Sequence, residues 1–131
     1  MRLAIMAGML ALAGCTPSAE MRASQQAHAA RDLAEAIEGR VAGKPQDCIP
    51  IQGVNGPQII DPETLVYRDG RRVYVNKLTG ECPSLSQDDT LIVELHNTQL
   101  CRNDMFRPLD AGTRIPGAYC RFGSFTPYVK P

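Results

Sequence analysis

Cysteine is the residue that most constrains what this 131-residue chain can fold into. Five cysteines are present, and an odd number leaves at least one thiol outside any set of intramolecular disulfides. Cys15 lies alone near the start of the chain. Setting it aside leaves an even set of four in the remainder, which consists of Cys48, Cys82, Cys101 and Cys120.

The first fifteen residues have the layout of a lipoprotein leader. Met1-Arg2 gives a positive start, and Leu3 to Leu12 form an apolar run too short for a bilayer, which needs about 20 apolar residues. The following Leu12-Ala13-Gly14-Cys15 resembles the bacterial lipobox, in which the cysteine thiol is acylated before cleavage. We therefore expect residues 1–14 to be a signal peptide and Cys15 to be lipidated. The alternative is an ordinary signal peptide cleaved near Ala13.

Export to an oxidising compartment would permit two disulfides among the other four cysteines. Four cysteines allow three connectivities, and the sequence does not choose between them. Our expectation leans toward Cys48–Cys82 with Cys101–Cys120. A zinc site with four thiolates is the alternative, but the chain has no C-x-x-C pair, which structural zinc sites usually contain.

Residues 15–44 are predicted to form a lipidated tether and an Ala-rich helix. Good helix formers dominate from about Ala19 to Ala42, and Gly43 and Pro45 mark the end. A stripe of apolar residues with 4-3 spacing predicts one helical face. Because alanine buries little area, we expect a spacer, or a helix packed on its own domain, rather than a seam for a partner helix. The stripe consists of Ala23, Ala27, Ala30, Ala34, Ile37 and Val41.

Residues 45–131 are predicted to form a disulfide-stapled β domain. The predicted fold is mainly β, with the N-terminal α-helix followed by a small antiparallel β-barrel or sandwich. Two β-rich runs, Glu63–Arg68 and Arg71–Asn76, flank Asp69-Gly70 and predict a hairpin. Further strands are predicted at Ile49–Val54, Leu91–His96, Leu100–Leu109 and Ala118–Val129, with a turn at Asn55-Gly56-Pro57.

The tip of the predicted hairpin is the first candidate binding site. With Asp69-Gly70 as the loop, Arg68 faces Arg71, and Tyr67 faces Arg72 as a cation–π partner. Three arginines on a turn could bind a carboxylate or phosphate of a lipid headgroup, a glycan or an acidic protein. The alternative is a tip that only confers solubility.

Other candidate residues carry weaker signals. Glu94 and His96 share one face of a predicted strand, which suits a general base with its orienting partner, two metal ligands, or simply a solvated face. Asp88-Asp89 lacks the spacing of a calcium loop. Hydrolase and nucleotide-binding motifs are absent from the sequence, so we predict no catalytic residue, metal site or cofactor. Fourteen basic residues balance fourteen acidic ones, which gives no reason to expect nucleic acid.

A series of short segments follows Cys48 in a distinctive order. They are Ile60-Asp61, Thr64-Leu65, Gly70, Val73-Tyr74-Val75-Asn76, Leu78, Cys82-Pro83-Ser84-Leu85, Gln99-Leu100-Cys101, Asp104, Cys120 and Gly123-Ser124-Phe125-Thr126-Pro127-Tyr128. The stretch from Cys48 to Tyr128 thereby resembles a family of uncharacterised exported or lipid-anchored proteobacterial domains with four cysteines. The resemblance implies a small envelope domain and assigns no activity. The segment Asp110–Tyr119 is longer than the turn usual in that family.

These features together favour a non-enzymatic envelope lipoprotein that acts as a binding or structural module. Its expected partners are the bilayer, through acylated Cys15, and an envelope protein or glycan. Thr16 stands where Asp would resemble an inner-membrane retention signal, which favours the periplasmic face of the outer membrane. The alternatives are a periplasmic enzyme inhibitor of the lysozyme-inhibitor kind, which would use the Asp69-Gly70 tip or the Asp110–Gly117 loop, and a small enzyme that uses Glu94 and His96.

Overall fold

A computed structural model describes residues 14–131, so the predicted signal peptide lies outside the described residues except for Gly14. Within these residues, one helix precedes ten short strands. Within the described range, no helix is long and apolar enough to cross a bilayer. The elements are α1 Ala19–Ala36, β1 Val41–Ala42, β2 Cys48–Pro50, β3 Asn55–Asp61, β4 Thr64–Asp69, β5 Arg72–Lys77, β6 Thr90–Val93, β7 Gln99–Cys101, β8 Met105–Leu109, β9 Cys120–Arg121 and β10 Phe125–Val129.

The elements pack in three layers. An antiparallel sheet of five strands, in the order β1-β10-β5-β4-β3, forms the middle layer. Helix α1 covers one face of this sheet, and two small sheets, β2-β7 and β6-β8-β9, cover the other. The predicted class, a helix followed by antiparallel β structure with two disulfides, is confirmed. The sheets do not close into a barrel.

Strands β4 and β5 are buried on both faces. Val66 of β4 and Val73 and Val75 of β5 pack toward the helix. Leu65 and Tyr67, on the opposite face of β4, pack toward the small sheets. A strand covered on both sides shows a continuous apolar run instead of alternation, which explains the sequence of this hairpin. All three phenylalanines, Phe106, Phe122 and Phe125, are fully buried on the side of the small sheets.

Helix α1 begins at a capped end and ends earlier than predicted. The Ser18 side chain accepts a hydrogen bond from the Met21 N–H at 3.2 Å, as an N-cap residue does. The helix ends at Ala36, and Gly39 follows in the left-handed region with φ of +67°. The predicted extension to Ala42 is wrong, because residues 41–42 instead form β1 and pair with β10.

The packed face of the helix is not the predicted alanine stripe. Ala29, Leu33, Ala36 and Ile37 contact the sheet, while residues 19–28 are exposed. The large side chains of Leu33 and Ile37 bury far more apolar area than alanine methyl groups, and so they set which face turns inward. Of the stripe residues, only Ile37 packs on the sheet, whereas Ala23, Ala27, Ala30, Ala34 and Val41 are exposed.

The two disulfides join Cys48 to Cys101 and Cys82 to Cys120. The expected pairing of Cys48 with Cys82 and of Cys101 with Cys120 is therefore wrong. Strand β2 pairs with β7, so Cys48 and Cys101 face each other directly despite a sequence separation of 53 residues. Strand pairing at this distance along the chain, rather than proximity in sequence, decides the connectivity.

The hairpin is confirmed, but its loop begins one residue later than predicted, so each residue of β4 faces a partner two positions further along β5. Its two-residue loop is Gly70-Arg71, and Asp69 faces Arg72 across the ladder. Gly70 has φ of +55° at the first central position, where a type II′ turn requires glycine. This register places opposite charges face to face, which is more favourable than the predicted pair of arginines.

Other predicted strand bounds are wrong as well. The predicted strands Leu100–Leu109 and Ala118–Val129 are each divided in two, and the predicted strand Ile49–Val54 ends at Pro50. Asn55-Gly56-Pro57 was predicted as a turn but begins strand β3. This is an edge strand, where Pro57 leaves no ladder hydrogen bond unmade, and its register shifts between Asn55 and Gln58. Strand β6 ends at Val93, so the predicted strand Leu91–His96 is too long by three residues.

Candidate functional site

The hairpin arginines do not form one cluster. Arg68 lies opposite Val73, on the helix face of the sheet, and donates a hydrogen bond to Oε1 of Gln58 at 2.7 Å. Arg72 lies opposite Asp69 and donates to the hydroxyl of Tyr74 at 3.2 Å. Successive side chains of a strand alternate between its two faces, and Arg68 and Arg72 therefore lie on opposite faces of the sheet.

Arg71 lies beside cations from other segments. Arg71, Arg40 and Lys130 line a surface cavity of about 490 Å³ together with the C-terminal Pro131. The Nε of Arg40 is buried and has no hydrogen-bond partner among residues 14–131. The positive charge near the hairpin tip therefore comes from three segments of the chain: Arg71 in the turn, Arg40 after α1 and Lys130 after β10.

The predicted pairing of Tyr67 with Arg72 is wrong, because Tyr67 faces Tyr74; Tyr67 lines an apolar cavity of about 170 Å³. Strands β2, β6 and β7 and the start of β3 form its walls. Tyr67 contributes the only polar side chain of the lining, and no lining residue carries a charge. The lining residues are Ile49, Pro50, Ile51, Val54, Gly56, Pro57, Tyr67, Leu91, Val93, Leu95 and Leu100.

The ring of Tyr67 is held firmly, but its hydroxyl has no partner. Its ring centroid lies 6.2 Å from that of Phe125 and 6.4 Å from that of Phe122. The residue is only 5% exposed, and burial raises the pKa of its hydroxyl well above the ordinary value. No side chain or backbone group of residues 14–131 is hydrogen-bonded to this hydroxyl. It is therefore a neutral, unpaired hydrogen-bonding group at an apolar cavity.

Gly56 allows the backbone of β3 to approach this ring. Its φ is +128°, a conformation that other residues rarely adopt. A Cβ atom there would lie 3.3 Å from Cδ1 of Tyr67 and 3.0 Å from the carbonyl oxygen of Val66. The close approach of the glycine backbone forms one wall of the cavity.

Glu94 and His96 are exposed to solvent. Both lie in the exposed loop after β6, and neither lines the Tyr67 cavity. Glu94 accepts a hydrogen bond from the hydroxyl of Tyr119 at 3.3 Å. Asp89 accepts one from the Ser86 N–H at 2.9 Å, which closes a turn. Within residues 14–131, no group of three His, Cys, Asp or Glu side chains is arranged to hold a metal ion.

The loop from Asp110 to Tyr119 projects from the small sheets and is rigidly held. Oδ1 of Asp110 accepts hydrogen bonds from the N–H of Gly112 and from both the N–H and the hydroxyl of Thr113. These bonds, chiefly those from Thr113, lower the pKa of Asp110. Arg107 donates to the Gly117 carbonyl at 2.8 Å and lies 5.0 Å from the ring centroid of Tyr119. Ile115, whose carbonyl accepts a hydrogen bond from the Asp110 N–H, is 65% exposed.

Cys15 is exposed and unpaired, whereas the other four cysteines are paired within the β domain. The chain from Gly14 to His28 is exposed throughout. The residue predicted to be lipidated therefore lies at the free end of the helix, away from the sheet.

A family model described as a family of unknown function, DUF6491, matches residues 1–128. The chain belongs to this family. No curated protein and no solved structure matches the chain. Membership in DUF6491 agrees with the expected resemblance in that the family is uncharacterised, and it assigns no activity to the Tyr67 cavity or to any other site.

Proposed function

We propose that this DUF6491 protein is a bacterial envelope lipoprotein, anchored by acylated Cys15, whose β domain acts as a non-enzymatic binding module. The pairing of the cysteines carries the proposal. The four cysteines of the β domain form two disulfides, and Cys15 remains exposed at the end of the projecting helix. An accessible thiol directly after Leu12-Ala13-Gly14 is where acylation would leave the fold undisturbed.

The helix suits a spacer between a membrane and the β domain. Its 18 residues span about 27 Å, and only its second half packs on the sheet. Each buried methylene of an acyl chain contributes about 0.8 kcal/mol, so two or three chains hold a protein durably in a bilayer. Anchoring also concentrates the domain near its neighbours in the envelope. Thr16, rather than Asp, after the acylated cysteine supports the outer membrane, facing the periplasm.

Replacing Cys15→Ser should abolish acylation and release the protein from the membrane, because no other thiol is free in residues 14–131. Labelling with a palmitate analogue and fractionation of envelopes measure both effects. Thr16→Asp is the matched control, since it retains the anchor; we expect full labelling and a shift from outer to inner membrane. Labelling of the Cys15→Ser protein at the wild-type level would refute the lipoprotein assignment.

A second candidate function is the inhibition of an envelope enzyme such as a muramidase, and the Asp110–Tyr119 loop favours it. Inhibitory loops act best when they are already rigid, because less entropy is lost on binding. This loop is fixed by the bonds of Asp110 and Arg107 and by the disulfide at Cys120, and it presents the exposed Ile115.

If the loop inhibits a muramidase, Ile115→Asp should weaken inhibition at least tenfold, because a charge would replace the apolar side chain that enters the cleft. Inhibition constants from cell-wall lysis assays measure this effect. Met21→Asp, which changes another exposed apolar residue, on the helix, should leave inhibition unchanged. Failure of the wild-type protein to slow lysis removes this candidate and leaves the binding module.

A further inference from the structure

We propose that the Tyr67 cavity binds a small, uncharged molecule with one apolar ring or branched chain and one oxygen atom that accepts a hydrogen bond. The proposal deepens the proposed binding function by naming the class of ligand. It concerns the β domain alone, so it can fail without affecting the acylation of Cys15.

The volume of the cavity limits the apolar part of the ligand. A space of about 170 Å³ is close to that of an engineered apolar cavity of roughly 150 Å³ that holds one benzene molecule. Leu95 lines the cavity and is 45% exposed, so the site opens to solvent at this residue. A single ring can therefore enter, and a larger ligand must keep its remainder outside.

The lining excludes charged ligands. Every lining side chain except Tyr67 is apolar or a glycine, and none can pair with an ion. Burying an ionised carboxylate or ammonium without a partner costs several kcal/mol, which a ligand of this size does not recover. The arginines of the hairpin do not change this balance, because they do not line the cavity.

Tyr67 supplies the recognition of oxygen. Although the residue is 95% buried, its hydroxyl is neither fully enclosed nor hydrogen-bonded within residues 14–131, so its O–H is available to a ligand oxygen. The contacts of its ring with Phe122 and Phe125 fix the position of the hydroxyl. A ligand carbonyl or ether oxygen would accept a hydrogen bond from the Tyr67 hydroxyl. The apolar body of the ligand would contact Ile49, Leu91, Val93 and Leu100.

Three probes of similar size test the proposal with the full chain carrying Cys15→Ser, so that no acyl chain competes for the site. They are acetophenone, which has a carbonyl oxygen, ethylbenzene, which lacks it, and benzoate, which is charged. Dissociation constants come from NMR titrations. We expect acetophenone to bind about five- to tenfold more tightly than ethylbenzene, because one additional hydrogen bond contributes a difference in affinity of this size. Benzoate should not bind, and the shifts should concentrate at the lining residues.

Tyr67→Phe removes the hydroxyl and keeps the ring, so acetophenone should then bind no more tightly than ethylbenzene. Tyr74→Phe is the matched control, because Tyr74 faces Tyr67 across the ladder but its hydroxyl bonds Arg72 and does not line the cavity. This control should keep the wild-type preference. Val54→Phe, which fills the cavity from one wall, should abolish the binding of both probes.

Several results would overturn the proposal. They are an absence of binding by either neutral probe, a wild-type preference for acetophenone near one, and an equal loss of preference in Tyr67→Phe and Tyr74→Phe. If Tyr67→Phe does not fold, the wild-type preference together with Val54→Phe still decides the outcome. The palmitate labelling of Cys15 tests the lipoprotein assignment separately, so a failure of ligand binding would not affect that assignment.

Discussion

Gly123→Ala should lower the free energy of unfolding by about 4 kcal/mol, since it combines a steric clash with the loss of two buried hydrogen bonds. Gly123 is buried in the segment that leads into β10. The Asn76 amide donates to its carbonyl oxygen at 2.8 Å and accepts from its N–H at 3.0 Å. A Cβ atom at Gly123 would overlap with the backbone carbonyl of Lys77, which no side-chain rotation can relieve.

Urea denaturation of Gly123→Ala and of Gly112→Ala measures this effect. A Cβ atom at Gly112 would meet only Oδ1 of Asp110 at 3.5 Å, so this control should change the stability by less than about 0.5 kcal/mol. Asn76→Ala removes the paired hydrogen bonds without the clash and should cost about 2 kcal/mol. A loss below about 1 kcal/mol for Gly123→Ala would mean that the chain can move away from Lys77. The close packing of Gly123 would then contribute less to stability than its geometry indicates.

Local patterns predicted the helix, the hairpin and the even set of cysteines, because each depends on neighbouring residues. Apolar periodicity did not predict the end of the helix or its packed face. Those depend on Gly39 and on Leu33 meeting a sheet that forms from residues much later in the chain. The register of the hairpin depended on which residue, Asp69 or Gly70, begins the loop, and both fit the same dipeptide signal.

Most of the candidate site could not be predicted from the sequence. The four predicted residues divide between two faces of the sheet and the turn, and only Tyr67 reaches the apolar cavity. The cavity walls come from three separated stretches, 49–57, 91–95 and 100, whose proximity follows from the pairing of β2 with β7. The alternation of Leu91, Val93 and Leu95 was the one local signal of a common apolar face, and it did not indicate a cavity.

Replacing Cys82 and Cys120 together with alanine should destabilise the domain by about 5 kcal/mol, more than the same change at Cys48 and Cys101, at about 4 kcal/mol. Loop entropy alone gives the opposite order, because the Cys82–Cys120 bridge spans 38 residues and the other spans 53. Cys82, however, is fully buried in the core beside Leu85, whereas Cys48 and Cys101 are half-buried. Removing its sulfur leaves a void, which adds roughly 1 kcal/mol. Urea denaturation of both double variants gives the order.

A single substitution distinguishes this connectivity from the pairing of sequence neighbours. Cys48→Ala should expose one domain thiol to alkylation, and peptide mapping should locate it at Cys101, because β2 and β7 hold these residues face to face. Cys82 and Cys120 should stay protected until the protein is reduced. Alkylation at Cys82 instead would mean that Cys48 pairs across the first half of the domain. The pairing of β2 with β7, which builds one wall of the Tyr67 cavity, would then be wrong as well.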